Sequence, residues 1–234
     1  MATPSQRKPK DIIVELLQEK AHLKQKVYDN TLEIFGQLKE VLEETTKEIN
    51  NQIKNKVDKR VLLEYKDKSD FEAEIKISGD ILIFNMHSNI FEFPPEHPIH
   101  QNTYFEEDPY RSFSGIINIY NFLADSIRFR RYNDLGYLIG RIFINKEKHY
   151  MVEGKRQLGL LYRDYHTNVI NKEALRNIIY SAILYTLDFD LLVPPYDSVS
   201  ILNVQAILEN INQARIKTGK RLGFKFYLES DEDK

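Results

Sequence analysis

The chain has no cysteine and no tryptophan among its 234 residues, and only nine glycines and eight prolines. Without cysteine, a disulfide framework, a thiolate metal site and a cysteine nucleophile are all excluded. The few glycines form neither a Walker phosphate loop nor a dinucleotide fingerprint, and no Gly-x-Ser-x-Gly elbow occurs. The net charge of -2 exerts no global pull toward nucleic acid or an anionic membrane. No apolar run reaches the length of about 18 residues that a membrane span needs. The nearest approach, Asn177 to Val193, is interrupted by Ser181, Thr186, Asp188 and Asp190. The first ten residues lack the apolar centre of a signal peptide, so a cytoplasmic location is expected, with no membrane association.

What the chain does have is a core-forming apolar fraction of 42%, together with 14 Tyr and 13 Phe. Residues 1–9 are polar and basic and read as a disordered tail. From Lys10 to Lys59 there is no proline and one glycine, Gly36. Ile13, Leu16, Leu17, Leu23, Val27, Ile34, Leu38, Val41, Leu42, Ile49 and Ile53 recur at helical spacings. A helix of that extent would be roughly 70 Å long. It would exceed a domain of this size, so residues 10–59 are expected to form an arm, part of which projects or pairs. Ile34, Leu38 and Val41 suit a coiled-coil seam for a homo-oligomer, broken by Lys20, Asn30, Thr31 and Thr45. Two shorter helices packed on the same domain are the alternative.

Residues 60–228 are expected to form an α+β domain: an antiparallel meander packed with about three helices, followed by an acidic tail at 229–234. In Val61 to Phe93 the period changes to two. Phe71, Ala73, Ile75 and Ile77 alternate with Glu72, Glu74 and Lys76, which predicts one buried and one wet face. Pro94 to Ser114 is a long loop holding half of the prolines, either functional or an irregular cover. Ile116, Ile117, Ile119, Tyr120, Leu123 and Ile127 suggest a helix over Gly115–Arg130. Leu135 to Leu161 reads as a β-hairpin reversing in Asn145–Lys148. A further helix is predicted from Asn171 or Lys172 to Leu187. A short strand follows near Asp190–Tyr196, then a last helix capped by Asp197 or Ser198 and ending at Gly219.

Three constellations bear on chemistry. Asp134 followed by Glu153-Gly154-Lys155 resembles the metal-dependent nuclease pattern of the restriction-endonuclease superfamily. The resemblance spans about Ser114 to Val193. It implies that Asp134 and Glu153 hold Mg²⁺ while Lys155 steadies the attacking water. Hairpin geometry opposes this. With the turn at residue 146 or 147, Glu153 lies opposite Gly140 or Arg141. Six positions then separate the carboxylates by roughly 20 Å. A Glu153–Arg141 cross-strand ion pair is the expected alternative.

The second constellation is basic: Arg128, Arg130, Arg131, Arg141, Lys146, Lys148, Lys155, Arg156 and Arg163, interleaved with Tyr132, Tyr137, Tyr150 and Tyr162. Such a ribbon suits phosphate contact with base stacking, or simply a solvated outer face. The third is His97 and His100 with nearby carboxylates, but Pro98 between them opposes convergence on a metal. The loop opening Phe-Pro-Pro-Glu-His-Pro after a meander also resembles ubiquitin-conjugating folds. Without cysteine, that resemblance can extend only to a non-catalytic relative. The expectation that remains is a non-enzymatic interaction protein with no cofactor. It would dimerise through residues 10–59 and meet a macromolecular partner through the 135–161 hairpin and the 94–114 loop. Nucleic-acid binding by the hairpin and the Mg²⁺ nuclease are the alternatives.

Overall fold

A computed structural model describes residues 8–131, 134–155, 158, 165 and 169–188. The expected 190–196 strand, last helix and acidic tail lie outside the described residues, as does most of the N-terminal tail.

The fold is α+β. Helix α1 (Pro9–Leu16) opens with proline, whose missing N–H costs nothing in a first turn. It passes through one π-helical turn, Leu17–Ala21, into α2 (His22–Ile53). Asp58 then caps a 3-10 turn by accepting the Arg60 N–H at 2.9 Å. Five strands follow: β1 (Glu64–Ser69), β2 (Glu72–Ile77), β3 (Asp80–Met86), the short β4 (Phe91–Glu92) and β5 (Phe113–Leu123). Short helices α3 (Thr103–Glu107) and α4 (Ala124–Arg128) flank β5. The hairpin is β6 (Tyr137–Asn145) and β7 (Tyr150–Gly154), and α5 (Lys172–Asp188) is the last described element.

All strand pairs are antiparallel in one 7-stranded sheet of order β1-β2-β3-β5-β6-β7, with β4 beside the start of β5. The inner face carries Ala73, Ile75, Leu82, Phe84, Ile117, Ile119, Ile142 and Ile144, all fully buried. Helices α2 and α5 cover it, contributing Ile34, Phe35, Leu38, Val41 and Leu42 on one side and Leu175, Ile178, Ile179 and Ala182 on the other. Burying each such side chain stabilises the fold by about 1.5–3 kcal/mol. The two helices lie parallel. Lys172 pairs with Glu40 at 2.6 Å and Arg176 with Glu44 at 2.8 Å, and Tyr180 donates to Glu48 at 3.4 Å, always at the same sequence separation of 132.

The seam residues Ile34, Leu38 and Val41 therefore face the chain's own sheet. Two of the seam's interruptions are contacts. Fully buried Thr31 packs against Gly115, and Asn30 Nδ2 donates to the main-chain oxygens of Asn145 and Lys146 at 3.2 and 3.0 Å. The excess helix length is at the other end: Pro9–Ala21 contains no buried residue.

One expected element is corrected. Phe113–Leu123 is a strand, and only Ala124–Arg128 is helical. β5 lies between β3 and β6, and seven successive residues from Phe113 to Ile119 are buried. A strand buried on both faces shows a continuous apolar run instead of alternation, and its β-branched isoleucines favour the extended chain. Beside it, β6 carries one extra residue, Ile139, where the register slips between Ile119 and Tyr120.

Candidate interaction site

The outer face of the sheet near the hairpin is covered by the proline-rich loop. Three side chains give that loop its shape by accepting an N–H two residues on. His97 Nδ1 accepts from Ile99 at 3.2 Å, Asn102 Oδ1 from Tyr104 at 3.0 Å and Asp108 Oδ1 from Tyr110 at 3.0 Å. Each cap opens a short helical turn. The loop delivers Phe93, Ile99, Tyr104 and Phe105 onto Ile116, Phe143, Met151 and Tyr165. This small second core is separate from the main one.

Polar contacts clamp the hairpin tip beneath this loop. Asn145 Oδ1 accepts the N–H groups of Glu147 and His149 at 2.9 and 3.0 Å. Its Nδ2 donates to the Tyr104 hydroxyl at 2.9 Å. That hydroxyl donates to Glu147 at 2.7 Å, and Arg111 Nε reaches the same carboxylate at 3.1 Å. Tyr104 also stacks on His149 with ring centroids 5.0 Å apart, and the Arg111 guanidinium stands 4.2 Å from the Tyr104 ring centre. Burial, then the Glu147 hydrogen bond, pushes the Tyr104 phenol well above the ordinary tyrosine range. Burial alone would raise the Glu147 carboxyl, but the hydrogen bonds from Tyr104 and Arg111 hold it below its ordinary value. Asp108 is lowered in the same way, against its burial, by Lys146 and the Tyr110 N–H.

Between loop and hairpin lies a cleft of about 640 Å³. Phe93, Ile99, Phe105, Phe143, Met151 and Tyr165 give its apolar surface, and His97, Asn102 and Glu153 are its polar side chains. Pockets of this size and character hold an apolar group and orient it with a few polar atoms.

The nominated residues fall in separate places. Glu153 stands opposite Arg141 in the β6–β7 register, and the two pair at 3.5 Å. Asp134 lies in the connection after α4, where it pairs with Arg131 at 2.8 Å and accepts from Ser126 at 2.5 Å. It precedes by six residues Gly140, the partner of Gly154, so the sheet does not bring Asp134, Glu153 and Lys155 together. His97 uses Nδ1 on its own turn, and His100 Nε2 donates to the Phe93 carbonyl at 3.2 Å. Among the described residues no group of three or more His, Asp or Glu side chains could hold a metal ion.

Much of the basic ribbon is internally paired. Lys146 pairs with Asp108, and Lys148 with both oxygens of Glu33 at 2.7 and 2.8 Å. Arg128 lies over the Phe129 ring at 5.2 Å, and Arg130 takes a positive φ of 54° just beyond α4. Arg156 and Arg163 lie outside the described residues. The cleft's aromatic walls went unnominated in the sequence because Phe93, Phe105, Phe143 and Tyr165 come from four separate segments. The only local signal was the side-chain alternation that puts Phe143 and Met151 on the face opposite Ile142 and Ile144.

Compared with known protein families, curated proteins and solved structures, the chain matches none. Among the described residues no helix is long and apolar enough to cross a membrane.

Proposed function

We propose that this is a non-catalytic interaction protein. The clamped hairpin and the proline-rich loop present the cleft to an apolar segment of a protein partner. The observation that carries this reading is the cleft itself: about 640 Å³, walled by four aromatic rings and Met151, beside a network that fixes its shape. Aromatic and methionine side chains in a rigid pocket are the usual anchors of protein interfaces. A preformed pocket also loses little conformational freedom on binding. Nucleic-acid binding by the hairpin draws less support, because Arg131, Arg141, Lys146 and Lys148 already have carboxylate partners within the chain.

The full chain should be screened against a displayed random-peptide library. Peptides carrying aromatic or aliphatic residues should be enriched. Their binding should be lost in Met151→Glu, which should remain folded by circular dichroism although less stable, because Met151 packs against the second core. Absence of enrichment, or peptides indifferent to Met151→Glu, would remove this reading.

A further inference from the structure

A second cleft, of about 570 Å³, lies at the opposite end of the outer sheet face, between β1–β3 and α4. Its lining holds six cations, Lys59, Arg60, Lys66, Lys68, Lys76 and Arg128, against three carboxylates, Glu64, Glu74 and Asp125. On a chain whose net charge is -2, this is a local reversal of sign. Several cations elsewhere are matched one to one: Lys39 with Asp67, Lys148 with Glu33, Lys172 with Glu40, Arg176 with Glu44.

Here the matching fails in two ways. Lys66 and Lys68 share one carboxylate, Glu74, at 3.4 and 3.3 Å. Lys59 and Arg128 have no carboxylate partner among the described residues. Lys76 and Arg60 are matched, by Glu64 and Asp58.

The arrangement is built into the sheet. Lys66 faces Glu74 across the β1–β2 register, and Lys68, the extra residue where the register slips between Asp67 and Ser69, reaches the same carboxylate. The Glu74 side chain is only 4% exposed, whereas the lysines are 57% and 40% exposed. A buried carboxylate is costly unless paired, so Glu74 anchors both ammonium groups while their remaining N–H donors face the cleft. Lys59 and Arg128 line the same cleft. Unmatched cations this close repel one another, and a multiply charged anion between them relieves that repulsion.

We infer that this cleft is a binding site for phosphate groups. Lys66 and Lys68 form one wall of donors, Lys59 and Arg128 supply the others, and Glu74 positions the lysine pair. A phosphate carries several oxygens and up to two negative charges, enough to accept from several of these donors at once. The shared chemistry admits two sources, a free polyphosphate group and the phosphodiester backbone of a single strand. The site is distinct from the apolar cleft and does not depend on its role.

The test titrates the full chain with sodium tripolyphosphate and, separately, with a labelled single-stranded oligonucleotide, at low and high salt. At least one probe should bind saturably, more weakly as salt rises. The deciding variant is Lys59→Ser with Arg128→Ser, because it leaves both partners of Glu74 in place. It should weaken binding about tenfold and lower the salt dependence. Met151→Glu should bind as the parent does. Tripolyphosphate binding identifies a free phosphate ligand. Oligonucleotide binding without it identifies a phosphodiester strand. Binding of neither probe, or binding untouched by the double variant, overturns the site.

Discussion

Thr31 of α2 lies directly over Gly115 of β5: a Cβ built on that glycine would stand 2.8 Å from Thr31 Cβ and 2.9 Å from its Cγ2. Both residues belong to the packed interface between helix and sheet. Thr31 is fully buried, and its hydroxyl bonds back to the Val27 carbonyl at 2.7 Å. The glycine is what lets the helix approach the central strand this closely.

Gly115→Ala should therefore overpack the interface and cost about 1–3 kcal/mol. Denaturant unfolding measures this directly. Thr31→Ala removes Oγ1 and Cγ2 but leaves Cβ in place, so the double variant should recover part of the loss, with a coupling of about 1 kcal/mol. Strictly additive effects would mean that the helix shifts instead, and that the contact is not what sets its height above the sheet.

The legibility of this fold followed the number of faces each element buries. α2 and α5 each present one apolar face, so their periods could be read; the β6–β7 hairpin was marked by its polar break, and Arg141 opposite Glu153 followed from the position of that turn. β5 buries both faces, so Ile116, Ile117, Ile119 and Tyr120 matched a helical spacing by coincidence. Residues that broke the expected seam, Asn30 and Thr31, were polar because they meet the hairpin tip and β5. The apolar cleft and the phosphate cleft were opaque for a different reason: their residues converge only once strand order is known. Arg128 lies far in sequence from Lys66 and Lys68 and shares one cleft with them through the β1–β3 order and the position of α4.

Asp108 and Glu147 set the acid limit of the clamp. Both carboxyls are held below their ordinary values in the folded chain, despite burial that opposes this. A lowered folded value means that the contribution is complete above the unfolded value near pH 4 and is lost as pH falls through the folded one. Urea midpoints should therefore decline below about pH 4.5. Asp108→Asn with Glu147→Gln should flatten that decline while lowering stability at pH 7. An unchanged acid slope in the double variant would assign the acid limit to other carboxylates.

At alkaline pH the tyrosines act in the opposite direction. Tyr65 is pushed up to about 12, first by burial and then by Asp67 and Glu43, and complete burial drives Tyr165 higher still. A raised folded value contributes stability that is present below the unfolded value near pH 10 and lost as pH rises through the folded one. Tyr165 also bonds the buried Ser114 hydroxyl at 2.7 Å. Tyr165→Phe strands that hydroxyl and should cost about 1–3 kcal/mol, whereas adding Ser114→Ala should recover much of the loss, because no buried polar group is then left alone. Spectrophotometric titration should show a fraction of the tyrosines ionising only with unfolding, and that fraction should shrink in Tyr165→Phe.

The dimerisation expected of residues 10–59 would have to use the N-terminal end of the helix. With Ile34, Leu38 and Val41 facing the sheet, the apolar surface free to pair is Ile12, Ile13, Val14, Leu16 and Leu17, between 40% and 61% exposed. Ile12 and Leu16, like Ile13 and Leu17, lie one turn apart, so each pair falls on one face. Two copies laid together along this segment would remove both patches from water in a two-fold contact. Sedimentation of the full chain should give a dimer. Ile13→Glu with Leu17→Glu should give a monomer with an unchanged melting temperature, since neither side chain contributes to the core. A monomer at every concentration tested would remove self-association while leaving both clefts intact.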